Sequence, residues 1–258
     1  MCENEETEDW LVRADEVCMR LKENLQERCS TVRSFEQEPV SLPFWCDCLK
    51  EALLFRSTEL AETAIDLYRR NLLVSGAIIT RSLLETIALF NRLNESCAKV
   101  VKQHERGNYC DEIIKELLKS VQRISLATTT TRDNETQSNI EPCKVPALIN
   151  SLDTRFKTDC KLKRMYDELC QFVHPNFNGC TDSFTKWNTQ ENYVEFIQDY
   201  HHVQLNAVRD HIFLFKILDI VEKLENEMME LLPKFAEACE EYIKRQRRKE
   251  KTWQEGKG

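Results

Sequence analysis

The first third of the chain alternates between helical stripes of apolar residues and a polar interruption. Over residues 8–29 the apolar positions recur at steps of three and four residues, which is the spacing of one buried face of an α-helix. These positions are Trp10, Ala14, Val17, Leu21 and Leu25. The stretch that follows, up to residue 44, contains two prolines and no helical period, so residues 1–44 are expected to form a helix and a connector.

Two longer helices are predicted next, and they differ in kind. Helical periodicity resumes at about Trp45 and continues to about Arg70, where Asn71 or Gly76 interrupts it. In the segment that follows, GAIITRSLLETIALFNRLNES, apolar residues occupy most of the helical circumference. That distribution is typical of a helix surrounded by other helices, so we expect this segment at the centre of the fold.

A helix from about Ala98 to Leu126 and two shorter helices are predicted on either side of a polar loop. The loop, at about residues 125–146, is rich in threonine and cannot bury enough apolar surface to order itself alone, which predicts flexibility. The two shorter helices follow the loop as VPALINSLDTRF and KLKRMYDELCQFVH.

The last part of the chain predicts one long helix. Asn188, with Glu191 three residues later, matches the capping box at which many helices begin. From there the apolar period continues to Tyr242, and Pro233 is expected to kink or restart the helix.

These elements predict an all-α fold, a single helical bundle of about six helices over residues 45–243 with a long C-terminal helix. The composition agrees, because the chain has only 5 glycines and 6 prolines, against roughly eighteen and thirteen at average usage. So few turn residues disfavour a β-sandwich or a β-barrel.

Charge separates the C-terminal tail, residues 244–258, from the rest of the chain. The net charge of −8 argues against a protein that coats nucleic acid through a broad basic face. The tail reverses that sign with the cations Lys244, Arg245, Arg247, Arg248, Lys249 and Lys251. Such a run is typical of a solvated helix end, and it also offers a contact for another protein or for RNA. Formation of a homo-oligomer stays open.

The sequence carries no targeting signal and no cofactor motif. It has no run of about eighteen apolar residues and begins with the acidic segment MCENEETEDW, so we expect a cytoplasmic protein that does not enter a membrane. Its 12 cysteines are scattered, which favours reduced thiols. The close pair Cys46 and Cys48 lacks the second pair of a tetrahedral site, and no phosphate loop or nucleophile motif occurs; we therefore expect no metal and no cofactor.

Three polar residues near apolar segments are candidates for a site. Arg81 and Glu85 are four residues apart, hence on one face of the most apolar helix, where their charges need partners. They predict either a buried ion pair that fixes helix register or a polar functional pocket. His174 ends its helix because Pro175 disfavours helical geometry in the residue before it. His174 lies at the edge of the buried face, where it either hydrogen-bonds the last carbonyl groups of its helix or lines a pocket.

Two segments together resemble an uncharacterised bacterial family of α-helical proteins, catalogued as a domain of unknown function. The family pairs the motifs Arg-Ser-Leu-x-Glu and Tyr-x-x-Leu-Ser-x-x-x-His-Pro. The matching residues are Arg81, Ser82, Leu83, Glu85, Tyr166, Leu169, His174 and Pro175. Cys170 stands where the family has serine. The resemblance, over roughly residues 50–220, implies an all-helical fold and groups Arg81, Glu85, Tyr166 and His174 as one site, but it supplies no activity.

A more distant similarity is to HEPN domains, helical bundles that often act as metal-independent ribonucleases in toxins and abortive-infection systems. Their motif places an arginine four to six residues before a histidine, whereas Arg164 is ten residues before His174 here. Two hypotheses follow. The chain is a non-catalytic helical interaction module, or it is a HEPN-like ribonuclease in which His174 is the general acid or base and Arg81 stabilises the phosphate.

Overall fold

A computed structural model describes residues 3–27, 42–107, 114, 116–117, 144–158, 161–173, 185–196 and 204–255. In these residues it has six α-helices and one β-hairpin. They are α1 (Glu3–Glu27), α2 (Leu42–Arg69), α3 (Leu73–Glu105), α4 (Val145–Phe156), α5 (Lys161–Val173), β1 (Thr185–Asn188), β2 (Tyr193–Phe196) and α6 (Gln204–Glu255). The prediction of an all-α bundle with a long C-terminal helix is confirmed.

The chain divides into two compact units, and each draws on several separate segments of sequence. The first unit contains Met1–Arg28, Leu53–Ala88 and Val145–Lys223. The second unit contains Cys29–Ala52, Leu89–Lys144 and Leu224–Gly258.

In the first unit, α1 packs antiparallel to the C-terminal half of α2. The predicted stripe of α1 is buried from Trp10 to Leu21, and only Leu25 at its end is half-buried. On the flank of this contact, Asp15 pairs with Arg69 near one end, and Lys22 Nζ lies 2.7 Å from Glu62 Oε1 nearer the other. The pairing of later α1 residues with earlier α2 residues defines the antiparallel arrangement.

The same helix runs parallel to the first part of α6. Arg13 places its guanidinium 4.2 Å from the ring centroid of Phe215, and seven residues later Arg20 Nε lies 3.1 Å from Glu222 Oε1. Both contacts have the same sequence offset, as expected for parallel helices. Within this unit, α1 is therefore held between the C-terminal half of α2 and the first part of α6.

A tight corner joins α2 to α3. Asn71 has φ +55°, the left-handed conformation that ends many helices, so the predicted break falls here and Gly76 lies inside α3. Gly76 is required for a different reason: a Cβ at this position would lie 2.6 Å from Tyr68 Cε1. That close approach lets the Tyr68 hydroxyl hydrogen-bond Thr80 Oγ1 at 2.9 Å.

α3 is longer than the sequence pattern predicted. The residues from Ala98 to Glu105 belong to α3, so the prediction of a separate helix beginning at Ala98 is wrong. The helix ends where Gly107, at φ +69°, donates its N–H to the His104 carbonyl at 2.8 Å. Beyond it, residues 114 and 116–117 are helical, and the predicted loop at 125–146 lies outside the described residues up to 143.

α3 is buried over much of its circumference. Its fully buried side chains include Leu83, Leu84, Ile87, Phe90 and Leu93. Among the described helices, α3 is long and apolar enough to cross a membrane, and 56% of that apolar stretch is buried inside the protein. A mostly buried core helix of a soluble protein also meets these criteria of length and composition.

Buried thiols and a buried lysine characterise the second unit. A hydrogen bond with Cys97, together with burial, raises the pKa of Cys46 far above its usual range, and burial raises the pKa of Cys239 to about 12. These cysteines act as small, protonated core residues. Lys50 is also buried, and its Nζ lies 2.7 Å from both Asp47 Oδ1 and Glu51 Oε1.

The segment expected to start the last helix forms a β-hairpin instead. Asn188 does not cap a helix, because it ends β1 and its Oδ1 accepts the N–H groups of Gln190 and Glu191 at 3.0 and 3.1 Å. The turn closes at Asn192, which has φ +56°. α6 begins only at Gln204, and it then continues through Pro233 without restarting.

Candidate functional site

Helix α3 supplies the two charged members of the candidate site. Arg81 and Glu85 are one helical turn apart, and Arg81 Nη2 lies 2.9 Å from Glu85 Oε1. The side chains are each 25% exposed, at the border between the buried face of α3 and solvent. The pair is therefore neither fully desolvated nor freely hydrated, so its charges still depend on neighbouring groups.

Tyr166 of α5 completes a closed network with this pair. Its hydroxyl donates a hydrogen bond to Glu85 Oε1 at 3.0 Å and accepts one from Arg81 Nη2 at 3.4 Å. The Arg81 guanidinium also lies 5.5 Å from the centroid of the Tyr166 ring, within the range of a cation–π contact. Three side chains that are distant in sequence thus tie α3 to α5 within the first unit.

Electrostatics keep Tyr166 and Arg81 each in one protonation state. Burial raises the pKa of Tyr166 to about 12, and the carboxylate of Glu85 acts in the same direction against the opposing hydrogen bond from Arg81. Burial lowers the pKa of Arg81, but its bonds to Tyr166 and Glu85 outweigh that effect and the net shift is upward. At neutral pH the tyrosine is a neutral hydrogen-bond donor and the arginine a cation.

Asp153 of α4 determines where α5 begins, and with it the place of Tyr166. The carboxylate is buried and accepts the backbone N–H groups of Leu162 at 3.3 Å and of Lys163 at 3.0 Å. These are the second and third residues of α5, whose N–H groups have no partner within the helix. Thr158 Oγ1 donates to the same carboxylate.

The sequence interpretation missed Asp153, although one signal was available. An acidic residue directly follows Leu152 on the buried face of a short helix, eight residues before the next helix begins at Lys161. A carboxylate in such a position needs buried donors, and the N-terminus of a following helix supplies them.

The structure brings together three of the four predicted site residues, Arg81, Glu85 and Tyr166. His174 lies outside the described residues, so its place in the site stays a prediction. Cys170, one turn after Tyr166, is half-buried and adds a weak electrostatic contribution at both Tyr166 and Arg81.

A shallow groove on α5 lies on the face opposite its buried side. It is lined by Lys163, Arg164, Asp167, Glu168 and Gln171. Two ion pairs, each 3.0 Å long, join residues that are one helical turn apart: Lys163 to Asp167 and Arg164 to Glu168. This arrangement is a solvated helix face, and it is separate from the Arg81–Glu85–Tyr166 network.

Within the described part of the chain, no group of three or more histidine, cysteine, aspartate or glutamate side chains could hold a metal ion. Comparison with known proteins adds no relative. No family model matches the sequence, no curated protein matches it, and no solved structure matches the fold. The resemblance to the uncharacterised bacterial family and to HEPN domains therefore stays a prediction.

Proposed function

We propose that this protein is a non-catalytic helical interaction module, and that the Arg81–Glu85–Tyr166 network is part of its framework. The observation that carries this proposal is that the three side chains bind one another through the Tyr166 hydroxyl, Glu85 Oε1 and Arg81 Nη2. Tyr166 donates to Glu85, and the charge of Arg81 is compensated by Glu85 at 2.9 Å. An arginine that stabilises a phosphate in a transition state has to direct its charge at the substrate instead.

The element best suited to a partner is the end of α6. Among the residues whose burial the structure describes, up to Arg248, the last buried side chain of this helix is Cys239, and the helix itself continues to Glu255. Residues 243–255 carry six cationic and two acidic side chains in a chain of net charge −8. The exposed cations of this segment include Lys244, Arg245, Arg247 and Arg248. At 1.5 Å per residue, the helix from residue 240 to its end is about 24 Å long, which fits an acidic surface on a partner protein.

Binding to charged polymers tests this role. The probes are fluorescent poly-L-glutamate and single-stranded poly(U), measured by anisotropy at low and moderate salt. We expect the wild type to bind poly-L-glutamate, and a variant with Lys244, Arg245, Arg247 and Arg248 replaced by glutamine to bind it at least about tenfold more weakly.

The matched control replaces Lys163 and Arg164 by glutamine. These two cations are also exposed on a helix but lie on α5, so the control should bind poly-L-glutamate like the wild type. Equal binding by the tail variant and the wild type would contradict the proposed role of α6. A clear preference for poly(U) would indicate instead that the end of α6 binds RNA.

The second candidate is a HEPN-like ribonuclease, and the partial exposure of the network favours it. Arg81 remains 25% exposed, and its Nε is a buried donor without a hydrogen-bond partner in the described residues. A phosphate could recruit the guanidinium if Glu85 moved aside. The test is RNA cleavage in the presence of a chelator by the wild type, Arg81→Ala and His174→Ala, with melting temperatures for all three. Cleavage that disappears in both variants at unchanged melting temperature would support the enzyme over the module.

A further inference from the structure

Every residue of the second strand of the β1–β2 hairpin is exposed. Val194 and Phe196, which share one face of β2, are 42% and 78% exposed, and Tyr193 on the other face is 46% exposed. All four residues of the strand are exposed, including Glu195. Three large apolar side chains are thus presented to solvent by one four-residue strand.

Among the described residues, hydrogen bonding leaves one edge of β2 open. The strand pairs with β1 from Tyr193 opposite Asn188 to Phe196 opposite Thr185. The sheet has only these two strands in the part of the chain that the structure describes. A two-stranded hairpin is marginally stable in water, and an exposed strand edge is a template for another strand. Natural edges are often blunted by proline or by charged side chains, especially lysine; β2 contains no proline or lysine, and its one charged residue is Glu195.

We propose that β2 pairs antiparallel with β2 of a second copy of this chain, which forms a four-stranded sheet across a two-fold axis. The amino-acid order of the strand favours this occupant. In a symmetric antiparallel pair, the axis must pass between a residue and its own copy, because residues directly opposite each other point to the same face. Three of the four residues of each strand overlap only if the axis passes beside Val194 or beside Glu195.

The choice between these two registers follows from charge. An axis at Glu195 would set two carboxylates directly opposite each other, which is destabilising. An axis at Val194 pairs two β-branched side chains and sets Tyr193 opposite the other copy's Glu195, where a hydroxyl can donate to a carboxylate. Phe196 then lies diagonally beside the other copy's Val194, within reach of an aromatic side chain. The strand is therefore self-complementary in one register.

The contact is small, so the dimer is weak. Two four-residue strands bury far less than the roughly 1,200 Å² of a stable standard interface. Self-association should be visible at protein concentrations of about 100 μM and above, and it should reverse on dilution.

Analytical ultracentrifugation over a concentration series tests the register directly. Val194→Lys and Val194→Glu each set two like charges opposite each other at the axis, so each variant alone should self-associate at least about tenfold more weakly than the wild type. An equimolar mixture of the two variants sets lysine opposite glutamate and should recover association. Val12→Lys is the matched control, because Val12 is a similarly exposed valine on α1 and its substitution should leave association unchanged.

Three results would overturn the proposal. The first is a wild type that stays monomeric throughout the concentration series, and the second is a Val194→Lys variant that associates like the wild type. The third is a mixture of the two Val194 variants that associates no better than each alone. Far-UV circular dichroism verifies that all variants retain the helical fold, so loss of association cannot be assigned to unfolding.

Discussion

Replacement of Asp153 by alanine should destabilise the α4–α5 hairpin and, with it, the protein. The carboxylate accepts the N–H groups of Leu162 and Lys163 and the hydroxyl of Thr158, and the residue is only 6% exposed. Alanine would leave two amide groups and one hydroxyl without this acceptor at a buried site. The first turn of α5 would then lose its cap, and Tyr166 would lose its fixed position beside Glu85.

The magnitude follows from the groups that lose their acceptor. Loss of a capping side chain costs about 1 kcal/mol, and loss of a negative charge at a helix N-terminus adds about 0.3–1 kcal/mol. The unsatisfied Thr158 hydroxyl adds about 1 kcal/mol. We therefore expect Asp153→Ala to lower the free energy of unfolding by about 2–3 kcal/mol. Asp153→Asn keeps one oxygen acceptor, so its loss should be about half as large.

Urea unfolding followed by far-UV circular dichroism measures these losses. Thr154→Ala is the control, because Thr154 is the next residue along α4, is exposed, and donates only to the Asn150 carbonyl of its own helix at 2.9 Å. Its substitution should change stability by less than about 0.5 kcal/mol. If Asp153→Ala and Thr154→Ala gave the same unfolding midpoint, the proposed link between α4 and α5 would be refuted.

Further predictions concern Tyr166 and Gly76. Tyr166→Phe removes the hydroxyl that joins α3 to α5 and should lower the free energy of unfolding by about 1 kcal/mol, measured by urea unfolding at pH 7; an unchanged value would contradict the network. The pKa of Tyr166 is about 12 in the folded protein, against 10.0 for a tyrosine in the unfolded chain. Below pH 10 the tyrosine is protonated in both states, so its full contribution to stability is present. It is lost as the pH rises towards 12, since the unfolded chain ionises first. Unfolding measured between pH 9 and 11.5 should therefore show a smaller decline in Tyr166→Phe than in the wild type, and parallel declines would refute the shift. Gly76→Ala adds a Cβ 2.6 Å from the Tyr68 ring and should cost about 1–3 kcal/mol although alanine favours helices; a more stable variant would show that the ring can move aside.

Periodic segments could be predicted from the sequence because their burial is a local property. The stripe from Trp10 to Leu21 and the all-round apolar character of α3 both specify helices regardless of their neighbours. The end of α3 was misplaced although the sequence holds the signal, since no glycine or proline separates Ala98 from the helix before it. The residue that ends the helix is Gly107, nine positions later.

The hairpin shows why a local motif can predict the wrong element. A capping asparagine and a turn asparagine both accept N–H groups two and three residues later, and Asn188 does this in the turn. Only the pairing of Thr185–Asn188 with Tyr193–Phe196 distinguishes the two, and strand pairing depends on both segments together.

The candidate site could be predicted only in part. The spacing of Arg81 and Glu85 places both on one helical face, and the resemblance to the bacterial family added Tyr166 to them. That Tyr166 donates to Glu85, and that Asp153 caps the helix which carries it, depend on how α3, α4 and α5 pack, which no local spacing encodes.

The central claim is that the Arg81–Glu85–Tyr166 network stabilises the fold, and the most direct test is the free energy of unfolding of Arg81→Ala. The substitution leaves the Glu85 carboxylate, three-quarters buried, without its cation. Because solvent partly screens this pair, whose side chains are each 25% exposed, we predict that the free energy of unfolding falls by about 1–2 kcal/mol relative to the wild type. Unchanged or increased stability would contradict the claim, because residues of an active site commonly hold their positions at a cost in stability.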